Sequence, residues 1–209
     1  MLSSLIEPGS VTELRIPNGR AGTASGYFDD MDAMAKCAME WSGKAPGVYF
    51  MLNPINPDLL TRSPNRITER AVRTTSDNDI LRRLWLPIDF DPVRASGISS
   101  TDAEHAAALE RAEACRTWLA EQGWPAPILA DSGNGAHLLY RIDLPNDAAA
   151  LKLVGDCLKA VEFQFGDDLV SVDLKTGNAA RIWKLYGTLA AKGDDTPDRP
   201  HRPSRMVTP

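Results

Sequence analysis

Asp89 and Asp91 are the residues of this sequence with the clearest capacity for chemistry. They follow the apolar run 84–88, which reads as a β-strand. Because alternate residues of a strand point to the same side, both carboxylates would project from one face, a few ångströms apart. Carboxylates this close raise each other's pKa unless a cation lies between them, and hard oxygen ligands suit Mg²⁺ or Mn²⁺. The pair alone is equally compatible with a strand end at which Asp91-Pro92 begins a loop.

A glycine-rich turn follows about forty residues later, at Ser132-Gly133-Asn134-Gly135. Short apolar runs on both sides predict a hairpin, which excludes a dinucleotide fingerprint or a P-loop because no helix begins at the turn. Two glycines allow the backbone to approach a ligand, and consecutive amides with the Ser132 hydroxyl could cradle phosphate oxygens. His137, just past the turn, could donate a hydrogen bond to a phosphate. A tight hairpin with a packed histidine is the alternative for this motif alone.

A third acid, Asp173, ends the strand predicted over 169–173 and completes a possible three-acid metal cluster. The polar residues that follow it are Lys175, Asn178, Arg181 and Lys184. They supply cations and an amide for a triphosphate or a nucleic-acid backbone. We expect a loop and then a strand here, with Arg181 pointing at the site. Plain surface charge is the alternative for Lys175 and Lys184.

The three segments, in this order and spacing, resemble the archaeo-eukaryotic primase superfamily. The most similar pattern is that of the primase-polymerase (Prim-Pol) catalytic domains of prokaryotic plasmids, phages and mobile elements. The resemblance covers roughly residues 45 to 205. The segment 48–54 is similar to the first core strand of that family, and 178–188 is similar to the stretch after its third acid.

The resemblance implies a metal-dependent DNA primase-polymerase that transfers nucleotides from dNTPs or NTPs to a 3′-hydroxyl on a single-stranded DNA template, with primer synthesis as a further activity. It assigns one or two Mg²⁺ or Mn²⁺ ions to Asp89, Asp91 and Asp173. It assigns nucleotide binding to Ser132, Gly133, Asn134, Gly135, His137, Lys175, Asn178, Arg181 and Lys184. Some relatives carry a zinc-binding insertion, but no cysteine pairs occur near the middle motif, so no zinc is expected. Sugar preference would rest with Tyr49, Asn53 or Tyr140.

Two other functional classes remain open from the sequence. One is a catalytically silent RRM-like nucleic-acid-binding replication module, which would have to bury its carboxylates without a metal at a high energetic cost. The other is a metal-dependent nuclease or a rolling-circle initiator. An initiator needs paired histidines and a nucleophilic tyrosine, whereas His137 stands alone in its motif, and a nuclease has no need of the glycine-rich turn.

The formal net charge of −5 is unfavourable for a nucleic-acid-binding protein, but basic residues cluster near the motifs. One cluster is expected to contact the template or primer backbone: Arg62, Arg66, Arg70, Arg73, Arg82 and Arg83. With so few phosphate contacts, binding should be weak and sensitive to salt.

Composition indicates an ordinary globular protein, with 209 residues of which 43% are hydrophobic. The three scattered cysteines, Cys37, Cys115 and Cys157, read as reduced thiols in a reducing compartment. No apolar run approaches membrane-spanning length and no signal peptide is recognisable, so a cytoplasmic location without membrane contact is expected.

The remaining elements are the scaffold that must position these residues. Helices are predicted from 31 to 43, over 102–121 behind a capping box at Thr101, and over 147–165. With the intervening strands they predict an α+β fold with a mixed or antiparallel sheet. The resemblance implies a single catalytic domain over 1–205, with an N-terminal α/β lobe (about 1–125) packed on a C-terminal RRM-like lobe (about 126–195). The hairpin at 127–142, the helix at 147–165 and the strands near 170 and 182 would form the second lobe.

The proline-rich stretch 196–209 reads as a linker-like tail. Members of the family often continue into a helicase or accessory domain. A fused or associated domain of that kind is therefore an expected partner.

Overall fold

A computed structural model describes residues 4–19 and 22–208 of the chain. The strands are β1 (Thr12–Gly19), β2 (Gly22–Phe28), β3 (Tyr49–Met51), β4 (Arg82–Pro92), β5 (Ile128–Asp131), β6 (Ala136–Pro145), β7 (Val170–Val172), β8 (Ile182–Lys184), β9 (Leu189–Ala190), β10 (Arg202–Pro203) and β11 (Arg205–Met206). The helices are α1 (Met31–Trp41), α2 (Asp102–Glu121) and α3 (Ala148–Phe165). The predicted α+β fold with antiparallel sheets is confirmed.

The three predicted helices form because each has a clear start signal in the sequence. The Thr101 side chain accepts from the Glu104 amide while the Glu104 carboxylate accepts from the Thr101 amide, which is a capping box at the start of α2. Asp147 caps α3 through the Ala150 amide, and Asp30 caps α1. No helix in the described ranges is long and apolar enough to cross a bilayer.

The sheet that carries the first motif has five strands in the order β11-β5-β6-β4-β7, each antiparallel to its neighbour. The succession β4-α2-β5-β6-α3-β7 is a β-α-β-β-α-β unit of the ferredoxin-like or RRM-like type, with β4 and β6 at its centre. Helices α2 and α3 cover one face and share a core with Ile88, Phe90 and Leu138. The opposite face is left for the odd-numbered residues of the central strands.

A second sheet has four strands in the order β2-β1-β3-β8. Its core is continuous with the helix-free face of the first sheet, because Trp85 and Leu139 belong to the same apolar cluster as Leu14 and Phe50. The space between the two sheets is therefore apolar at one end. The other end of β4 carries the acids.

The predicted division into lobes is wrong in two places. Strand β4 belongs to the RRM-like sheet and helix α2 packs on that sheet, although both precede residue 126. Strand β8, near 182, joins the other sheet by pairing with β3. The reason is that these pairings are non-local, so sequence order does not reveal them. Each sheet is built from both halves of the chain.

The prediction of a linker-like tail is also wrong, as far as Thr208. Strand β10 pairs with β9, and β11 adds a strand to the edge of the five-stranded sheet. Ser204 is 1% exposed and its hydroxyl donates to the Thr188 carbonyl at 2.8 Å. Arg202 donates to the Ser100 carbonyl and to Asp102 at the start of α2. Proline is tolerated because Pro203 occupies a two-residue edge strand, where a missing donor costs little.

Candidate functional site

Asp89 and Asp91 project from the helix-free face of β4, as the strand alternation requires. Ile88, which precedes them, and Phe90, which lies between them, are fully buried under the helices. In the register of the sheet Asp89 lies opposite His137, and Asp91 lies opposite Ser171. The sequence prediction of two carboxylates on one face is therefore matched by the backbone.

The two carboxylates have different electrostatic environments. Burial raises the pKa of Asp89, but His137, Lys192 and Arg181 outweigh burial, so its pKa lies below the ordinary value. Burial raises the pKa of Asp91, and the charge of Asp89 raises it further. Asp89 is therefore the carboxylate of the pair that more readily carries a negative charge. Two close carboxylates share one charge in this way when no cation neutralises both of them.

One oxygen of this pair lacks a hydrogen-bond partner. Asp89 Oδ1 is buried and accepts no hydrogen bond from any described residue, and His137 Nε2 lies 3.3 Å from it, outside hydrogen-bond geometry. A buried carboxylate oxygen without a donor is costly unless a cation or a water satisfies it. This oxygen and the carboxylate oxygens of Asp91 are hard ligands that fit a divalent cation such as Mg²⁺ or Mn²⁺.

His137 is held by two aromatic residues that the sequence reasoning did not assign to the site. The Trp183 indole donates to the Tyr186 hydroxyl at 2.8 Å, and the hydroxyl lies 2.9 Å from His137 Nδ1. The hydroxyl hydrogen finds a partner only if Nδ1 accepts it, which leaves the hydrogen of a neutral imidazole on Nε2, facing Asp89. Trp183 also packs on the imidazole with ring centroids 4.1 Å apart. His137 is thus a fixed donor beside the acids.

The backbone amides of the glycine-rich turn donate hydrogen bonds to the turn itself and to Asp131, contrary to the prediction that they cradle a ligand. The amides of Asn134 and Gly135 donate to the Ser132 hydroxyl oxygen, and the Gly133 amide donates to Asp131. The Ser132 amide donates to the Gly135 carbonyl. Since the Ser132 oxygen accepts two amides, its hydroxyl hydrogen is left to donate to a ligand. The Ser132 hydroxyl, rather than the backbone, is the group this turn offers.

Both glycines of the turn are required by its geometry. Gly133 has φ of +90°, and an added Cβ there would meet the Arg202 carbonyl oxygen at 2.7 Å. An added Cβ at Gly135 would lie 2.2 Å from the Phe90 carbonyl oxygen. The turn is pressed against β4 and against the C-terminal segment.

Asn134 connects the turn to another part of the chain as well as facing the site. It is 4% exposed, and its Oδ1 accepts from the Ser100 amide at 2.8 Å, which joins the turn to the start of α2. Asp131, 3% exposed, accepts from His105 Nε2 at 2.8 Å as well as from the turn. The turn is therefore fixed from several directions.

The third acid is adjacent to the first but is already engaged. The Asp173 amide donates to the Asp89 carbonyl at 3.0 Å, which fixes its backbone beside β4. Its carboxylate accepts from the Lys175 amide and is ion-paired with Arg181. Within the described ranges, no group of three or more His, Cys, Asp or Glu side chains is arranged to hold a metal ion. The predicted three-acid cluster is thus not assembled in this arrangement.

A cavity of about 250 Å³ between the two sheets gathers eight of the twelve residues predicted to bind metal or nucleotide. Its polar lining comprises Tyr49, Asp89, Asp91, Ser132, Asn134, His137, Asp173, Arg181, Lys184 and Lys192. Lys175 and Asn178 are exposed and do not line it. Lys192 was missed by the sequence reasoning, because it is an isolated lysine in a stretch without periodicity.

The six arginines of the basic cluster divide into three groups. Arg83 is 4% exposed and donates to the Gly177 carbonyl at 2.7 Å, so the prediction that it contacts nucleic acid is wrong. Arg82 forms an exposed ion pair with Asp143, and Arg62 donates to the Tyr27 hydroxyl. The remaining three are exposed without an ion pair or side-chain hydrogen bond to the rest of the described chain: Arg66, Arg70 and Arg73.

The loop that carries these three arginines is fixed to the four-stranded sheet. Thr68 forms a bridge with Ser25 of β2, and the Thr75 amide donates to the fully buried carboxylate of Glu13. Glu13 is neutralised by Arg15 and accepts from Ser25. A buried charge with this many donors is stable, so the loop presents its arginines from a defined base.

Comparison with solved structures gives one informative similarity. The chain is similar to the polymerase domain of Mycobacterium tuberculosis Ligase D, solved in complex with DNA, with a TM-score of 0.52 and 18% sequence identity. The match covers 95% of this chain and 74% of that one. No protein-family model and no curated protein matches the sequence. At this identity the similarity shows that the chain has the fold of that polymerase domain.

Proposed function

We propose that this chain is a metal-dependent, template-directed nucleotidyltransferase of the primase-polymerase type. The observation that carries the proposal is the convergence, in one cavity, of the paired carboxylates of β4 with Ser132, His137 and several cations. The fold shared with a polymerase domain supports it. The ordered motifs that resemble the archaeo-eukaryotic primase superfamily support it independently.

Asp89 and Asp91 are the proposed metal ligands, and Asp173 would join them if Arg181 released it. When bound, a divalent ion there would stabilise the charge on the entering and leaving oxygens of the displacement. The carboxylates would hold that ion on a rigid central strand, whose register fixes them opposite His137 and Ser171. Catalysis of this kind depends mainly on positioning and electrostatics rather than on covalent chemistry by the protein.

Ser132 and His137 are the proposed donors to the phosphates of the incoming nucleotide. The Ser132 hydroxyl hydrogen is free because its oxygen already accepts two amides. The His137 Nε2 hydrogen faces the acids, where it is available to an anion bound beside Asp89. In the proposed reaction the 3′-oxygen of the primer bonds to the α-phosphorus, the bond to pyrophosphate breaks, and the 3′-hydroxyl proton is released.

The template and primer are proposed to lie along the loop that presents Arg66, Arg70 and Arg73. Their guanidinium groups are available for phosphates, since none of them is paired within the described part of the chain. The similar polymerase domain was solved in complex with DNA, which is consistent with a DNA partner here. Primer synthesis, the choice between dNTPs and NTPs, and an associated helicase domain are finer predictions that rest on the sequence resemblance.

The test is nucleotide incorporation on a single-stranded DNA template, with and without primer, in Mg²⁺ or Mn²⁺. Asp89→Asn keeps the shape of the side chain and removes its charge. It should lower incorporation by more than about 100-fold, since even residues that only support metal ligands contribute about 10- to 100-fold. Asp156→Asn, on the exposed face of α3, is the matched control and should retain full activity. Undiminished incorporation by a folded Asp89→Asn protein would refute the assignment.

A catalytically silent nucleic-acid-binding module is the second candidate. The Asp173–Arg181 ion pair favours it, because it neutralises one acid without a metal. A module of this kind would bind the template, and neither the unaltered protein nor the Asp89→Asn variant would yield a product. Shortening of the template would instead indicate a nuclease.

A further inference from the structure

Three cationic side chains line the cavity beside Asp89 and Asp91, and they differ in whether their charge is available to a ligand. They are Arg181, Lys184 and Lys192. Arg181 is committed to the carboxylate of Asp173 through Nη2. An anionic ligand would have to compete with that carboxylate for the guanidinium.

Lys184 is also committed. The residue is 5% exposed, its ammonium donates to the Leu189 carbonyl at 2.9 Å, and its Nζ lies 5.6 Å from the centre of the Tyr49 ring. Burial, together with a smaller effect of the nearby charge of Lys192, lowers the pKa of Lys184 to about 7. At neutral pH a large fraction of Lys184 is therefore uncharged, and it is a poor anchor for a polyphosphate.

Lys192 has neither limitation. Its ammonium forms no ion pair or hydrogen bond with any residue in the described ranges, and the side chain lines the cavity that also holds Asp89 and Asp91. The side chain therefore shares the cavity with the acid pair and forms no ion pair with either carboxylate.

The backbone of Lys192 is held while its side chain is free. Its carbonyl accepts from the Ser99 hydroxyl at 3.0 Å, and the preceding amide, that of Ala191, donates to the Pro46 carbonyl at 3.0 Å. Arg199, from the C-terminal segment, donates to the Ser99 carbonyl at 2.8 Å. A fixed base and an unpaired, partly exposed ammonium are what a phosphate-binding lysine needs.

We propose that Lys192 is a phosphate-binding residue that takes the polyphosphate of the incoming nucleoside triphosphate beside Ser132 and the acid pair. This inference rests on the proposed function and adds to it a residue outside all of the sequence motifs. A phosphate of the DNA backbone has the same chemistry. We favour the nucleotide because Lys192 lies in the cavity with the acids, whereas the unpaired arginines lie on the loop at 66–73.

The test compares Lys192→Met and Lys192→Arg with Lys159→Met, a matched removal of an exposed lysine on α3. Calorimetry with dATP and with dAMP gives the part of the affinity that depends on the outer phosphates. Lys192→Met should lower the preference for dATP over dAMP by about 10- to 100-fold, the usual effect of losing a hydrogen bond to a charged group. The KM for dATP should rise by a similar factor with a smaller change in kcat, and Lys192→Arg should restore most of the affinity. Lys159→Met should behave as the unaltered protein.

Two results with the Lys192→Met protein would overturn the proposal. One is an unchanged dATP preference in a folded Lys192→Met protein. The other is weaker single-stranded DNA binding with unchanged nucleotide affinity, which would assign Lys192 to the DNA backbone. If the unaltered protein bound dATP through Lys192 but incorporated nothing, the binding site would stand and the proposed catalysis would fail. If it bound no nucleotide, both would fail.

Discussion

The close approach of Gly135 to β4 makes Gly135→Ala the most informative single substitution. An added Cβ would lie 2.2 Å from the Phe90 carbonyl oxygen and 3.4 Å from Asp91 Oδ1, whereas real Cβ contacts are essentially never under 3.0 Å. To go from 2.2 to 3.0 Å, the start of β6 must move from β4 by about 0.8 Å. The obstacle is backbone, so a side-chain rotation cannot relieve it.

That displacement has two consequences of different size. Overpacking of this kind costs about 1–3 kcal/mol of unfolding free energy, which at this chain length is about 2–4 °C in Tm per kcal/mol. The shift also moves His137 against Asp89, its partner in the sheet register. A misplacement near 1 Å costs about 100-fold in rate. We therefore expect incorporation to fall much further than the loss of stability would suggest.

The matched control is Gly155→Ala on α3, where an added Cβ meets nothing within 4 Å. It should stabilise the protein by about 0.5–1 kcal/mol and leave incorporation unchanged. Thermal unfolding and single-turnover incorporation of both variants are the assays. A Gly135→Ala protein with unaltered Tm and rate would refute the inferred contact between the turn and β4.

The placement of four side chains leads to four further predictions. Because burial lowers the pKa of Lys184 to about 7 from 10.5, the unfolded chain binds a proton that the folded chain has lost between those values. Unfolding free energy should therefore rise with pH by up to about 1.4 kcal/mol per unit across that window, and urea titrations of Lys184→Met should lack this slope. Arg83→Met should lower the unfolding free energy by about 1–3 kcal/mol without changing the salt dependence of DNA binding. Arg66→Ala should instead reduce the salt slope for single-stranded DNA by about 0.7 at unchanged stability, and a slope change for Arg83→Met alone would reverse these assignments. Tyr49→Ala should increase the use of NTPs relative to dNTPs, measured as a ratio of kcat/KM values; an unchanged ratio would exclude Tyr49 from sugar selection.

The Tyr49 prediction resolves a choice among three residues that the sequence left open. Asn53 is 6% exposed and bridges the Ala179 carbonyl and the Leu84 amide. Tyr140 is 1% exposed and packs against Trp124 in the core under the helices. Tyr49 alone of the three lines the cavity.

Local signals made the scaffold of the site predictable. Strand alternation was enough to place Asp89 and Asp91 on one face, because a period of two leaves no other arrangement for a strand with one buried side. The capping box at Thr101 located α2, since it satisfies amides that a helix start leaves without partners. The hairpin around Gly133 followed from two apolar runs separated by turn residues.

Non-local contacts account for what the sequence did not reveal. Arg83 reads as one more arginine of a basic stretch, and only the fold brings it to the Gly177 carbonyl, 94 residues away. Lys192 lies outside any motif, and Tyr186, within the stretch 178–188, reads as an ordinary aromatic residue. Both reach the site because β8 pairs with the distant β3 and Ser99 holds the later loop. The prolines near the C-terminus suggested a linker, whereas Ser204 and Arg202 bind the segment to the body of the protein.

Templated incorporation tests the central proposal most directly. The assay supplies one nucleotide at a time to a primer annealed to each of four templates that differ in the next base, with the unaltered protein and the Asp89→Asn variant. We predict that the unaltered protein adds the complementary nucleotide on each template in the presence of Mg²⁺ or Mn²⁺, and that the variant adds none. Addition that ignores the template base, or addition that persists in the variant, would contradict the proposed function.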